Sequence, residues 1–454
     1  MTAPRLTARR DLRAVGLVSG LSAAYGVALV VAAGVLAAAG GAAGATIALT
    51  LSALLIGMAL YVSAIVISTG VSTVVVGIRP HIALLRLLGA RSALLRRRLV
   101  TEVLTVASAA ALLGAAAGGC LAIGVRGRLV SRGTIPHESF WATDRFTPLV
   151  VLATIAVAAL AARSASRTVL AVSPASALSA ADEHAAPAAS TTATRTVGAA
   201  VLLGVGAIAL LYPAFGSLRG SSSGILLAAL GAVLLSLGVL VGAPVLLPFV
   251  VAGIGALFGR SAPAAVARSN AHAYRDRTTR STIGILTGVT LVITLATGAT
   301  AVKTALASEI SAQDYPEVAR FIDMTTIVLI GVTVISAVIS AIGYVSVMSA
   351  GVEQRRREIG MLRVLGLRRT DVYRTTVFES LAIAGAAVTC GIVLGVVIGS
   401  AGARALIPFA GDVLFVPWNA LAVTIVAAAG LVIASAITPA RRAAAVSPIE
   451  TIRA

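Results

Sequence analysis

Three features of the sequence predict an all-α integral membrane protein with about ten transmembrane helices: its apolar content, the continuity of its apolar runs, and the confinement of its charges to short blocks. Of the 454 residues, 58% are apolar and 12% charged, whereas a soluble domain carries about 25% charged residues. Ten apolar runs, at about 15–39, 46–76, 99–124, 147–166, 197–214, 224–249, 281–301, 324–350, 376–400 and 418–438, are near the roughly 20 residues a helix needs to cross the hydrocarbon core. Because the runs are continuous and not alternating, a membrane β-barrel is excluded.

Taken in order, residues 3–14, with Arg5, Arg9, Arg10 and Arg13, read as a basic surface-lying helix that leads into the first run. The run is too long for a cleaved signal peptide. A Gly/Ala turn at 40–44 joins the first two helices, and the second leads into a basic stretch at Ile78–Arg98. Beyond the third helix, an outer loop at Arg126–Arg145 carries Phe140 and Trp141 as interface anchors. Ala165–Arg195, rich in Ala, Ser and Thr with Pro174 and Pro187, reads as a cytoplasmic linker.

The fifth and sixth runs carry no charge, and the sixth continues past Pro244 and Pro248 to Phe258 as a broken or interfacial extension. Arg260–Arg280 repeats the basic lead of the N-terminus. An outer loop at Val302–Asp323 holds Lys303, the only lysine, with Glu309, Asp314, Tyr315, Glu317 and Arg320. The eighth run delivers a second basic stretch, Gly351–Glu379. A last outer loop spans Gly402–Trp418, and the tenth run ends at Pro439 before a basic tail.

The formal charge of +19 is set by 36 Lys and Arg against 17 Asp and Glu. With the N-terminus in the cytoplasm, most of these cations fall on the inner side, as the positive-inside rule requires, and both termini are cytoplasmic. The arginines are thereby accounted for as topology and headgroup contacts, and no nucleic-acid partner is called for. Cys120 and Cys390 fall in apolar runs as small packing residues. His81, His137, His184 and His272 stand singly, so no catalytic or metal cluster is formed, and no Gly-x-x-x-x-Gly-Lys phosphate loop occurs.

The two basic stretches are copies of one another. Under a shift of 277 residues Ile82, Leu85, Arg86, Leu88, Gly89, Arg91 and Glu102 match Ile359, Leu362, Arg363, Leu365, Gly366, Arg368 and Glu379 without a gap. Ala171-Val172-Ser173-Pro174 likewise returns as Ala445-Val446-Ser447-Pro448. The chain divides into a four-helix repeat (1–180), a linker with two inserted helices (181–259) and a second four-helix repeat (260–454). Six helices separate the two starts, which makes the repeats parallel, about a pseudo-twofold axis along the membrane normal.

Within each copy the spacing predicts a short amphipathic helix at the cytoplasmic surface, rigidly continuous with a membrane helix. Ile359, Leu362 and Leu365 form one apolar stripe, Arg355, Arg356 and Arg357 lie mostly off it, and Gly366 stops the helix. Ile82, Leu85, Leu88 and Gly89 repeat the pattern. Glu102 and Glu379 sit a few residues into the following runs, where a charge is costly, and read as structural pairs with an arginine of their own basic segment; a proton-coupling carboxylate is the alternative.

The run Glu353-Gln354-Arg355-Arg356-Arg357-Glu358-Ile359-Gly360-Met361-Leu362-Arg363-Val364-Leu365-Gly366 resembles the signature of the FtsX-like permease family, the membrane subunits of ABC exporters that work by mechanotransmission. The first copy is degenerate, with Gly77 for Gln354 and His81 for Glu358. The 4+2+4 arrangement is similar to the ten-helix permeases of bacitracin-type resistance exporters. The resemblance implies that each amphipathic segment is a coupling helix docking on an ATP-binding subunit. One dock would comprise Glu358, Ile359, Leu362, Arg363, Leu365 and Gly366; the other, Ile82, Leu85, Arg86, Leu88 and Gly89. It further implies two copies of an ABC ATPase per chain, with ATP and Mg held by that partner and no cofactor in this chain.

Relatives commonly carry a large extracytoplasmic domain after the first helix of a repeat. Here about five residues stand there in the first half and about twenty in the second, which argues against a tripartite efflux partner. Export or extraction of a lipid, lipopeptide or peptide-like substrate at the cell membrane is the leading expectation. A membrane regulator relaying ATPase motion to a cell-wall enzyme or sensor, through an extracytoplasmic contact at Val302–Asp323, is the alternative. An ion-driven secondary transporter is a third, but it would need charged or broken helices near the midplane, and the helix centres here are almost uncharged.

Overall fold

The computed structural model describes residues 9–39, 90–131, 147–171, 189–259, 275–309, 368–407 and 415–427, with isolated positions that include Ile67, Val71, Ile82, Leu85, Met361 and Gly366. Among the described residues the structure is helical and contains no strand. The long helices are α1 (Arg9–Ala39), α2 (Ser92–Ser131), α3 (Thr147–Ala171), α4 (Ala189–Phe215), α5 (Ser222–Ala256), α6 (Arg275–Glu309) and α7 (Arg369–Leu406). A shorter apolar helix, α8, covers Trp418–Ala427. Six helices, α2 to α7, are long and apolar enough to cross a membrane, and α1 contains the apolar segment Val15–Ala28. The expected run at 324–350 and the turn at 40–44 lie outside the described residues, as do most of the run at 46–76 and most of the 418–438 run beyond α8.

The chain forms two compact units, Met1–Ser190 and Thr191–Ala454. The two inserted helices, α4 and α5, belong to the second unit, where α5 packs on both α7 and α6. In the first unit α1 lies along α2, and α3 closes on both. Its buried stripe includes Ala23, Val27 and Val30 of α1 with Leu95, Leu99, Val103, Ala107 and Ala111 of α2. In the second unit Leu247 and Val251 of α5, Ile285, Val289 and Ile293 of α6, and Ile383, Ala386 and Ala387 of α7 make one cluster. A second joins Leu210 and Ala214 of α4, Ala228 of α5, and Ile398, Ala401 and Ala405 of α7.

Lipid tails are as apolar as these side chains, so the helices associate through close packing and not through exclusion of water. Small residues supply the closeness. A Cβ on Gly395 would lie 2.7 Å from Ile293 Cβ and 2.8 Å from the Thr290 carbonyl oxygen; one on Gly399 would lie 2.7 Å from Thr297 Cβ. In the first unit, a Cβ on Gly118 would lie 2.5 Å from the Ala24 carbonyl oxygen. Gly118 and Gly395 are related by the same 277-residue shift as the basic stretches. Both repeats therefore seat their long helix on a preceding helix through a glycine in the same register.

Several hydroxyls in these apolar helices are satisfied by the carbonyl one turn back. Thr154 donates to Val150, Ser236 to Ala232, Thr287 to Ile283 and Thr300 to Ala296, each at 2.8–2.9 Å. The apolar positions facing outward on α2, Leu112, Leu113, Leu121 and Ile123, are exposed, as a lipid-facing surface is. Cys120 shares that exposure, so it is not the packing residue expected; Cys390 is partly buried against the α5–α6–α7 core.

Several boundaries differ from expectation. The sixth run is not broken: α5 continues through Pro244 and Pro248 to Ala256. Each proline removes one N–H donor, but neighbouring groups in a bundle re-satisfy freed carbonyls. Arg195 Nε donates to the Val241 carbonyl at 2.9 Å, one residue from the Leu240 carbonyl that Pro244 leaves without its helical donor. The linker expected over Ala165–Arg195 is helical up to Ala171 and again from Ala189. The outer loops expected at Arg126 and Val302 begin later, since α2 runs to Ser131 and α6 to Glu309, placing Lys303 on a helix.

Candidate functional site

Each basic stretch leads into a long helix through an arginine whose carbonyl accepts from the first turn of that helix. In the second copy Met361 is helical and exposed, and Gly366 has φ +103 with nothing within 4 Å of where a Cβ would sit. This φ is one that only glycine adopts without strain. Arg368 follows in extended conformation, φ −75 and ψ 159, as the N-cap of α7. Its carbonyl accepts from the N–H groups of Asp371 at 3.0 Å and Val372 at 3.2 Å. Its own N–H donates to the Asp371 carboxylate at 3.2 Å, the acidic half of a capping box, which also places a negative charge at the positive end of the helix.

In the first copy the Ala90 N–H donates to the Leu85 carbonyl, five residues back, at 2.9 Å. That bond closes a helix of the Schellman type. Arg91 then plays the part of Arg368: its carbonyl accepts from Leu94 at 3.0 Å and Leu95 at 3.2 Å, and α2 starts at Ser92. Leu95, Leu99, Val103 and Ala107 are buried at the positions equivalent to the buried Val372, Thr376, Ser380 and Ala384. The sequence repeat is thus also a repeat of the helix start and its buried face.

The helix stop expected at Gly366 is present: the left-handed Gly366 and the extended Arg368 separate the amphipathic segment from α7, while the membrane run that precedes the segment lies outside the described residues. A helical ladder cannot pass a residue at φ +103.

Of the residues expected in the second dock, Gly366 is exposed at this turn, while Glu358, Ile359, Leu362, Arg363 and Leu365 lie outside the described residues. Of the first, Ile82 is helical and buried at 4% exposure, Leu85 is helical and half-buried, and Arg86, Leu88 and Gly89 lie outside the described residues. Arg368, Arg369, Thr370 and Arg374 are exposed around the second turn, as are Arg91, Arg97 and Arg98 around the first.

Glu102 is half-buried on α2 and Glu379 is buried on α7 at 5% exposure; neither is without a partner. Among the described residues no group of three His, Cys, Asp or Glu side chains is placed to hold a metal ion. At the base of α7, Phe378 stacks on Phe258 from the end of α5, with centroids 5.2 Å apart and planes 8° from parallel. Asp371 was missed from the sequence although its place, three residues after Arg368, is a capping signal. Arg404, buried in the last turn of α7, was missed too; the signal was a lone charge at the end of an apolar run.

The FtsX-like permease C-terminal family model matches residues 330–448. The chain is similar to an uncharacterized ABC transporter permease of Methanocaldococcus jannaschii, 30% identical over 141 residues, covering 30% of this chain and 35% of that protein. It is similar to the macrolide export ATP-binding/permease protein MacB of Sodalis glossinidius, 29% identical over 132 residues, covering 28% of this chain and 20% of the relative. MacB of Brucella abortus is 34% identical over 86 residues, covering 19% of this chain and 12% of the relative. The matches thus span at most 35% of the length of these relatives. In this multi-pass protein of the cell membrane, the segment similar to the FtsX-like permease family is residues 330–448, which include the Gly366 turn and all of α7.

Proposed function

We propose that this chain is the permease subunit of an ATP-binding-cassette transporter and that it couples ATP hydrolysis in a separate subunit to export or extraction of a lipid, lipopeptide or peptide-like substrate. The observation that carries the reading is the family match over 330–448, which falls on the basic turn and on the helix it feeds. ATP binding is named for the MacB relatives, whereas this sequence has no phosphate loop of its own. ATP and Mg then belong to a partner chain. The duplicated turn supports two ATPase copies per permease, one on each amphipathic segment, within ten helices arranged as 4+2+4 parallel repeats with cytoplasmic termini.

In this reading Ile359, Leu362 and Leu365 seat against the ATPase, with Glu358 and Arg363 flanking them. Ile82, Leu85, Arg86, Leu88 and Gly89 provide the weaker dock, since the first copy is degenerate, with Gly77 and His81 in place of Gln354 and Glu358. Movement of the docked segment reaches α7 through the Gly366–Arg368 turn, and α6 moves with α7 because their contact is glycine-close. Glu102 and Glu379 act as structural charge pairs near the inner interface.

The test is co-expression with ABC ATPases, followed by copurification and an ATPase assay. Leu362→Asp or Leu365→Asp should abolish stimulation of the partner while leaving membrane insertion intact, because each sets a charge in the docking stripe. Leu85→Asp should cost less. ATP hydrolysis by the purified chain alone, or wild-type stimulation by both Asp variants, would overturn the reading.

A further inference from the structure

The hairpin of α4 and α5 lies along α7, and its attachments fall at the two ends of a glycine-rich stretch of that helix. α7 carries Gly385, Gly391, Gly395, Gly399 and Gly402. Gly391, Gly395 and Gly399 face α6, where an added Cβ would come within 2.9 Å of Val289, Ile293 and Thr297 respectively. Glycine is the poorest helix former after proline, so the residues that bring α6 and α7 together also leave α7 pliant over its C-terminal half.

Ahead of that stretch the Phe378 ring stacks on Phe258 at 5.2 Å, and at its first residue a Cβ on Gly385 would lie 3.2 Å from Ile254 Cγ2. Beyond it, Gly220 at the hairpin tip donates its N–H to the Ala405 carbonyl at 2.9 Å. There Leu210, Ala214 and Ala228 also pack on Ile398, Ala401 and Ala405. Phe378 and Ala405 are about 40 Å apart along the axis at 1.5 Å per residue. α5 spans that length as one helix of 35 residues.

Composition does not make α5 the stiffer partner, since it holds Pro244, Pro248 and six glycines of its own. Rigidity comes instead from pairing two pliant helices. Bending requires one helix to slide along its neighbour, and sliding is opposed at both ends, by stacked rings at one and by a hydrogen bond among small residues at the other. α4 backs the pair: a Cβ on Gly238 of α5 would lie 2.9 Å from Leu203 Cγ of α4.

We infer that the inserted hairpin is a splint for α7. Fastened by Phe258 to Phe378 and by Gly220 to Ala405, it makes a glycine-weakened helix move as a rod, so that a displacement entering at the Gly366 turn reaches the other end. The use of that rod rests on the proposed coupling to an ATPase; the splint is a property of this chain alone and is measured without a partner.

Amide hydrogen exchange of the full chain in neutral detergent, read segment by segment by mass spectrometry, tests it. Phe258→Ala detaches one end; Ala214→Phe, which drives a ring into a fully buried contact, detaches the other. Phe258→Ala should speed exchange at 399–405, about 30 Å from the lost stack, by roughly two- to tenfold, the loss of an aromatic pair. Ala214→Phe should do the same at 376–385. Exchange in α1, which belongs to the other unit, should not change, nor should any rate in Leu226→Ala, which trims an exposed side chain of α5. Effects confined to the mutated end overturn the splint, and so does a rise that includes α1, which is general loosening. If Ala214→Phe fails to fold, Phe215→Ala, which removes the ring 4.8 Å from the Arg404 guanidinium carbon, takes its place with the same criteria. A chain that binds no ATPase would sink the coupling and leave these rates standing, so the two readings fail separately.

Discussion

The Asp371 carboxylate accepts a hydrogen bond from the backbone N–H of Arg368 at 3.2 Å, tying the first turn of α7 to the residue that leaves the Gly366 turn. Asp371→Ala removes this cap and a favourable charge at the helix N-terminus. Stability of the full chain in detergent should fall by about 0.5–2 kcal/mol, read as a lowered thermal midpoint. The equivalent position in the first repeat is Leu94, so Leu94→Ala should show no capping loss. Equal losses at both would remove the cap as the explanation.

Gly366→Ala should destabilise by about 1 kcal/mol, because its φ of +103 is hostile to a Cβ. Space is not the cause, since nothing lies within 4 Å of that Cβ. Gly402→Ala, which is also open but sits inside α7, should be neutral or stabilising, as glycine is the poorer helix former. A neutral Gly366→Ala would show that the turn relaxes.

Gly395→Val should be the most damaging of these changes. The added carbons meet Ile293 and the Thr290 carbonyl, and overpacking of this kind costs about 1–3 kcal/mol. The matched change Gly118→Val, against Ala24, should behave alike, while Gly119→Ala has open space and should not. Thermal unfolding of the three variants ranks them; a tolerated Gly395→Val would mean that α6 and α7 are not locked together.

A double-mutant cycle of Phe258→Leu and Phe378→Leu should give a coupling of about 0.5–1.5 kcal/mol, because the two rings stack at 5.2 Å. Additive losses would show that the α5 end and the α7 base are held independently.

How much of this was legible in advance differs from feature to feature. The glycine stop at Gly366 could be read because a φ of +103 leaves glycine as the residue of choice. The pairing of Arg91 with Arg368 was visible as an identity, and the shared buried register of Leu95 and Val372 followed from it. The course of α5 could not be read, since proline penalties belong to water-exposed helices and Arg195 reaches Val241 only in the folded bundle.

The sequence by itself determined that the chain is a helical membrane protein with a duplicated basic turn, because runs of about 20 apolar residues have no stable place in water and side-chain identity sets the repeat. Only the tertiary structure decided which faces are buried. Ala, Leu, Val and Gly surround these helices almost evenly, so no apolar stripe marks the contact side, and the glycine registers at Gly118 and Gly395 acquire meaning from the backbone opposite. Tertiary structure also decided that Arg404 is enclosed and not solvated. Burial depends on what packs across from a residue, and its own sequence neighbourhood does not carry that information.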